Sequence, residues 1–277
     1  MVLAMAAFAV EDVLYKSASQ AYPPGQALII FGGLGGLVFV LMSRLRGEPI
    51  WHAAVLTKPL LIRSGFELGG RLFYALALAM TPLASTSSIL QATPLVVALG
   101  AVLFLGETVG WRRWIAMGIG FVGVLLILRP TPASFEVTSL FAVLGMIGFA
   151  GRDLATRASP PSMSMPQLGT LGFAVLTLAG AILAVVGGEQ IAPPAASVLL
   201  RLSGASLFGV LAYAALTHAM RMGEIGFVAP FRYIRLVFAL ILAVLVFGER
   251  PDQLTLIGGA VIVGSGLYSL LRQRKAG

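Results

Sequence analysis

Phe8-Ala9-Val10-Glu11-Asp12-Val13-Leu14-Tyr15-Lys16 falls on Phe149-Ala150-Gly151-Arg152-Asp153-Leu154-Ala155-Thr156-Arg157 when the chain is shifted by 141 residues. Phe, Ala, Asp and the terminal cation coincide. The same shift pairs Gln26 with Gln167, and Gly118 and Gly123 with Gly259 and Gly264. Leu105-Gly106-Glu107 meets Phe247-Gly248-Glu249 at a shift of 142, and Tyr74-Ala75 meets Tyr213-Ala214 at 139. Drifts of this size are what single-residue insertions and deletions produce. The matches keep their order along the chain, so residues 1–130 and 138–277 read as two copies of one unit.

Hydropathy says what the unit is made of. Of 277 residues, 58% are hydrophobic and 11% charged, with a mean hydropathy of +0.95; soluble domains run near a quarter charged. A bilayer core of about 30 Å takes about 20 apolar residues per helix. Apolar runs broken by Pro, Gly or charge give ten helices, near 1–16, 26–43, 60–80, 83–105, 112–128, 138–156, 167–187, 199–220, 225–247 and 253–271. The expected fold is an all-α polytopic membrane protein with five spans per copy and no soluble domain. Five is odd, so the second copy enters the membrane from the opposite side. Two inverted repeats around a central cavity are an architecture of secondary transporters, which bind cargo near the midplane and alternate access by rocking one half on the other.

The net charge of +8 does not point to nucleic acid, because the basic residues sit in short clusters between apolar runs. Arg44, Arg46, Lys58, Arg63, Arg112 and Arg113 fall on one side of the expected bilayer, with Arg157, Arg221 and the C-terminal Arg272, Arg274 and Lys275; only Lys16, Arg129, Arg201 and Arg250 fall on the other. Cytoplasmic loops carry the excess, which puts both termini in the cytoplasm. The first segment lacks a basic n-region and carries Glu11 and Asp12, so it reads as a retained span and not a signal peptide. Zero cysteines remove disulfides, thiolate metal sites and thiol nucleophiles. There is no Gly-x-Ser-x-Gly, no His-Glu-x-x-His, and the only histidines are His52 and His218; an enzyme is not expected. Without a phosphate-binding Gly-x-x-x-x-Gly-Lys loop, neither is a primary pump. No cofactor or metal is implied, and the partners are a small-molecule cargo and the lipid bilayer.

Ionisable groups in hydrocarbon are costly and usually face a protein interior or a water-filled path. Glu67 and Arg71 lie four apart on the third span and are expected to pair, as a structural pair or as cavity groups that sense cargo or protons. Asp12 with Lys16 and Asp153 with Arg157 have the same spacing in both copies, and read as structural pairs whose cations reach the interface. Arg232, Tyr233 and Arg235 follow Pro230, which frees a carbonyl one turn back and predicts a kinked or discontinuous ninth helix. Arg232 and Arg235 either anchor that helix to its neighbours or recognise a carboxylate, for which a planar guanidinium is suited. Gln91 precedes Thr93 and Pro94 in the fourth span and can both donate and accept. Tyr74 and Tyr213 are repeat equivalents suited to a cavity or to an interfacial belt. His218 is the intramembrane histidine and a candidate proton relay beside Glu67, set against a plain hydrogen bond to backbone. Glu107 and Glu249 follow helix-ending glycines and read as helix stops. Trp111 and Trp114 flank Arg112 and Arg113 as an aromatic belt does.

An ordered set of segments resembles the drug/metabolite transporter superfamily, in its EamA-like ten-helix branch, over nearly the whole chain. It comprises Asp12 to Lys16, Tyr74-Ala75-Leu76 with Thr81-Pro82-Leu83-Ala84, Pro94-Leu95 leading to Leu105-Gly106-Glu107, and Gly120-Phe121-Val122-Gly123-Val124. Arg152-Asp153 with Arg157, and Ala229-Pro230-Phe231-Arg232-Tyr233 running to Phe247-Gly248-Glu249, complete it. In architecture the chain is similar to the YddG-type amino-acid exporters. The resemblance implies a bacterial inner-membrane carrier, with helices 1–4 and 6–9 around the cavity and helices 5 and 10 as support. The glycines of the fifth and tenth helices, Gly118 and Gly123 in one and Gly258, Gly259 and Gly264 in the other, fit such packing. The cargo implied is an amino acid or similar zwitterionic or anionic metabolite; efflux of hydrophobic or cationic drugs is the alternative, against which Arg71, Arg232 and Arg235 outnumber the central Glu67. Expected cargo contacts are Glu67, Arg71, Tyr74, Gln91, Tyr213, Arg232, Tyr233 and Arg235.

Overall fold

Proline, glycine and charge punctuate the chain into ten α-helices among the residues that the computed structural model describes: 1–50, 52–80, 89–129, 138–159, 162–222, 229–247 and 251–273. They are α1 (Val2–Ser19), α2 (Pro24–Leu45), α3 (Lys58–Met80), α4 (Thr93–Leu105), α5 (Trp111–Leu128), α6 (Ser139–Arg157), α7 (Met165–Val186), α8 (Ala196–Met222), α9 (Ile234–Phe247) and α10 (Gln253–Gln273). Short 3-10 turns occupy Ala53–Leu56 and Ala229–Tyr233. Among the described residues there is no strand.

Local chemistry sets the ends. Pro24, Pro94 and Pro166 stand in the first turns of α2, α4 and α7, where a missing N–H costs nothing. Ser164 and Gln167 form a reciprocal capping box at α7. Gly106 turns left-handed at φ 67° and the Glu107 N–H returns to the Ala101 carbonyl at 3.1 Å, the expected helix stop; Glu249 lies outside the described residues. The expected fourth and ninth helices fall partly on 81–88 and 223–228, also outside them. What is described of both is interrupted: residues 89–90 are helical, Gln91 and Ala92 turn, and α4 restarts at Thr93; α9 follows the 3-10 turn that holds Pro230.

Four pairs carry the packing: α2 with α7, α3 with α6, α1 with α8, and α5 with α10. Next come α1 with α9 and α4 with α6, then α2 with α8 and α3 with α7. Exchanging α1–α5 for α6–α10 in order turns every one of these pairs into itself or another of the set. The exchange extends to single atoms. Gln26 Nε2 donates to the Gln190 carbonyl at 2.8 Å, and Gln167 Nε2 donates to the Pro49 carbonyl at 2.9 Å. Glu189 accepts from the Gly25 and Gln26 N–H groups, while Glu48 takes the Ser164 hydroxyl. Gly47 and Gly188 both turn left-handed, at φ 66° and 61°. In each case the two residues differ by 141 in number.

Small residues let the partners meet. A Cβ on Gly180 would lie 2.8 Å from Leu28 Cβ, and one on Gly169 would lie 2.6 Å from the Phe39 ring. Leu28 therefore faces Gly180 and Phe39 faces Gly169, so α2 and its equivalent α7 run antiparallel. At α3 and α6, Gly148 sits so near Gly70 that a Cβ would reach its Cα at 2.5 Å. Gly123 and Gly258 bring α5 and α10 equally close. Gly118, Gly259 and Gly264 meet nothing within 4 Å, against their expected packing role. Gly118 is five residues from Gly123, about 140° around the helix, so it turns away from the seam, which runs through Gly120 and Gly123 instead.

Among the described residues five helices, α2, α5, α6, α7 and α8, are long and apolar enough to cross a membrane. The rest include α1 and α3, which carry more charge: Glu11, Asp12 and Lys16 on α1, and Lys58, Arg63, Glu67 and Arg71 on α3. Outer faces are apolar, with Phe104 80%, Val185 81% and Leu200 75% exposed, a surface made for lipid.

Candidate functional site

A cavity of about 280 Å³ lies between α1, α3, α4, α6, α8 and the start of α9. Its apolar wall is Met5, Phe8, Leu90, Phe149, Leu216, Leu236 and Ala239; its polar wall is Glu11, Asp12, Arg71, Tyr74, Gln91, Thr93, Arg152, Arg232 and Arg235. Both interrupted segments open onto it, since Thr93 and Pro94 begin α4 and Arg232 and Arg235 flank the start of α9. Such helix starts favour negative charge.

The acids at and behind this wall take arginines both from their own helices and from others. Asp12 on α1 receives two guanidinium nitrogens of Arg235, Nε at 2.9 Å and Nη2 at 2.6 Å. Asp153 on α6 is 2% exposed and takes both Arg152, at 2.9 Å, and Arg232. Glu67 on α3 pairs with Arg63 at 3.2 Å and reaches Arg152 at 3.6 Å. Arg63, fully buried, also donates to Thr156 Oγ1 at 3.0 Å and to the Tyr213 hydroxyl. A chain of charge thus runs Tyr213, Arg63, Glu67, Arg152, Asp153, Arg232 through α8, α3, α6 and the turn before α9. Arg71 and Arg152 both lie over the Phe149 ring, at 5.7 and 5.3 Å from its centroid, and Arg235 lies 4.9 Å from that of Phe8. Rings that face guanidinium groups supply an attraction that lipid cannot.

The three expected i, i+4 pairs are replaced. Glu67 turns to Arg63 and Arg152 instead of Arg71, Asp12 to Arg235 instead of Lys16, and Asp153 to Arg152 and Arg232 instead of Arg157. For Glu67 and Asp153 the reason is desolvation, since an acid shut away from water needs a partner shut away with it; for Asp12, which is half exposed, it is the planar fork of Arg235, which fits the carboxylate with two nitrogens. Lys16 is exposed at its helix end, and Arg157 goes to Glu107 at 3.0 Å and to the Met220 and Arg221 carbonyls. Sequence spacing gave the helix face and not the neighbour across it.

Of the residues expected to meet cargo, Arg71, Tyr74, Gln91, Arg232 and Arg235 line the cavity. Glu67 sits behind Arg152. Tyr213 is buried, with its hydroxyl on the Leu168 carbonyl at 3.1 Å, in an aromatic cluster with Phe31, Phe39 and Phe173. Tyr233 is fully buried against Gly120 of α5, beside Val124 and Ile262. His218 is on an exposed face of α8, outside the cavity. Glu11, Asp12 and Arg152 line the cavity but were not among the expected contacts. Their signal was there in the opposite charges at the equivalent positions 11 and 152. Among the described residues no group of three His, Cys, Asp or Glu could hold a metal ion.

Comparison with known proteins agrees with this architecture. The pattern of the EamA-like transporter family matches residues 1–129 and 137–271. An S-adenosylmethionine uptake transporter of Rickettsia bellii is 29% identical over 75% of this chain and 70% of its own. A riboflavin transporter of Rhizobium johnstonii is 28% identical over 99% and 92%, and a pseudopaline exporter of Pseudomonas aeruginosa is 29% identical over 95% and 91%. A solved crystal structure superposes with a TM-score of 0.83 over 99% of this chain and 97% of the other at 20% identity, a shared fold.

Proposed function

The chain belongs to the EamA-like transporter family, and we propose that it is a secondary carrier that exports amino acids or similar small zwitterionic or anionic metabolites by alternating access. One observation carries the reading of the cargo: five arginines, Arg63, Arg71, Arg152, Arg232 and Arg235, stand on and directly behind the cavity wall against four acids, Glu11, Asp12, Glu67 and Asp153. A cationic drug would enter against that balance. The relatives are named for unlike cargoes and for both uptake and export, so the charges of this cavity weigh more than any one of their names.

The proposed topology is ten spans in two inverted five-helix repeats, 1–130 and 138–277, in a bacterial inner membrane with both termini cytoplasmic. The antiparallel course of α2 and α7, and the hydrogen bonds that recur under the shift of 141, support it. Repeats related in this way can exchange conformations, so that a cavity closed to one face opens to the other. The excess of Lys and Arg on one side supports the orientation.

The test is efflux from proteoliposomes loaded with labelled amino acids. Release of at least one, accelerated by the same amino acid outside, is the expected result. Release of none, together with efflux of a hydrophobic cationic dye, would replace this reading with drug export. Exchanging Arg71 for Gln should slow carboxylate-bearing cargo by about tenfold or more and its amide analogue much less.

A further inference from the structure

Four of the six charged groups on the cavity wall are already in ion pairs. Asp12 is held by Arg235, and Arg152 and Arg232 are held by Asp153. Two groups are not so engaged. Glu11 is 6% exposed, and its Oε2 is buried with no hydrogen-bond partner among the described residues. Arg71 has a buried Nε with no hydrogen-bond partner among the described residues, and its guanidinium lies over the Phe149 ring. Neither forms an ion pair among the described residues, and they are too far apart to pair with each other. They stand on different walls, Glu11 on α1 with its Oε2 turned to the bare face of Gly209 on α8, and Arg71 on α3.

Burying a carboxylate without a partner is among the costlier things a fold can do. The other acids of this cavity show that the chain has arginines to spend where a structural pair is wanted. A metal ion would need several oxygen ligands, and no cluster of them is present among the described residues. What complements a single buried carboxylate is an ammonium group, and what complements an open guanidinium edge is a carboxylate.

Resting on the carrier reading above, we infer that Glu11 and Arg71 form a two-pole subsite, Glu11 for the α-ammonium and Arg71 for the α-carboxylate of an amino acid. Met5, Phe8, Leu216 and Leu236 line the same cavity and receive an apolar side chain. Each pole alone holds half of the head group, so cargo with one charge is bound less well than cargo with both. Glu11 is a cargo contact in this account and has no hydrogen-bond partner to lose among the described residues.

The test is equilibrium binding to the purified full-length protein in detergent, read by ligand-dependent thermal stabilisation. The probes are L-leucine, 4-methylpentanoate and 3-methylbutylamine, which share a side chain and differ only in charge, with L-phenylalanine, 3-phenylpropanoate and phenethylamine as a second set. Wild type should bind an amino acid about tenfold or more tighter than either of its truncated analogues. E11Q should bind it no tighter than the carboxylate-only analogue, whose own affinity stays within about twofold of wild type. R71Q should do the reverse, keeping the amine and losing the carboxylate. E11D should recover part of the E11Q loss, and R71Q, on another helix, tests the second pole should E11Q fail to fold. Equal weakening of all three probes by E11Q, or amino-acid affinity unchanged by it, would overturn the subsite and leave the carrier standing. Wild type that binds no member of either set, while its proteoliposomes expel a hydrophobic cation, would overturn the carrier reading itself and the subsite with it.

Discussion

Asp153 clasps two guanidinium groups from a site closed to water, and its loss leaves Arg232 without a counter-charge and Arg152 with only Glu67 at 3.6 Å. Asp153→Asn should therefore destabilise the protein by about 3–5 kcal/mol, seen as a lower unfolding temperature in detergent. Lys16→Gln, at the exposed end of α1, should change stability by less than about 0.5 kcal/mol. Equal losses from the two would mean that Lys16 is a true partner of Asp12 after all. Tyr233 offers the opposite sign. Its hydroxyl is buried with no partner among the described residues, so Tyr233→Phe should hold or raise the unfolding temperature, because it removes an unmet hydrogen-bonding group without leaving a cavity. Loss of stability there would place a partner on that hydroxyl. At this scale the arginines of the ninth segment were conspicuous in the sequence, because charge is rare in an apolar chain. Tyr213 and Tyr233 were not separable from Tyr74 in that way: all three are amphipathic rings at plausible depth, and only the rotation of each helix decides which ring meets the cavity.

At the scale of helices, the seam between α3 and α6 depends on two glycines. Gly148→Ala puts a methyl group 2.5 Å from the Gly70 Cα, and backbone cannot yield as a side chain can. A loss of about 1–3 kcal/mol is expected. Gly118→Ala, on α5 with open space around it, should instead gain up to about 1 kcal/mol through helix propensity. The same measurement decides both, and a destabilising Gly118→Ala would show that the outer face of α5 is packed against something. Helix positions were readable from apolar runs, and both interruptions were marked by Pro94 and Pro230. The choice of seam glycines was not. A glycine count fixes composition, whereas the packed face depends on a helical phase that a stripe read by eye misassigns, as it did for Gly118, Gly259 and Gly264.

For the whole molecule, the repeat proposed from the first nine residues quoted above is supported by bonds between the halves. Gln26 and Gln167 were paired in the sequence as identical letters; in the structure each reaches into the loop of the other copy. The partners Gln190 and Pro49 differ in type and could not have been matched by identity, since it is their main-chain carbonyls that accept. Outside the membrane-spanning helices, Arg129 ties α5 to the start of α10 through Asp252, and the hydrogen bond from Arg129 holds the Asp252 carboxyl well below the usual carboxylate range. A lowered folded-state pKa gives stability that is present above the unfolded value, about 3.9, and fades as pH falls through the folded one. This staple should therefore be intact at neutral pH and loosen only in strong acid, and Asp252→Asn should remove that part of the acid dependence. The central claim is that one half is the other turned over in the membrane. With no native cysteine in the chain, single cysteines at Pro49 and Gln190, repeat equivalents on exposed loops, can be probed in intact cells with a membrane-impermeant maleimide. The account predicts labelling of the cysteine at 190 from outside and of the cysteine at 49 only after the membrane is opened; labelling of both from the same side would contradict it.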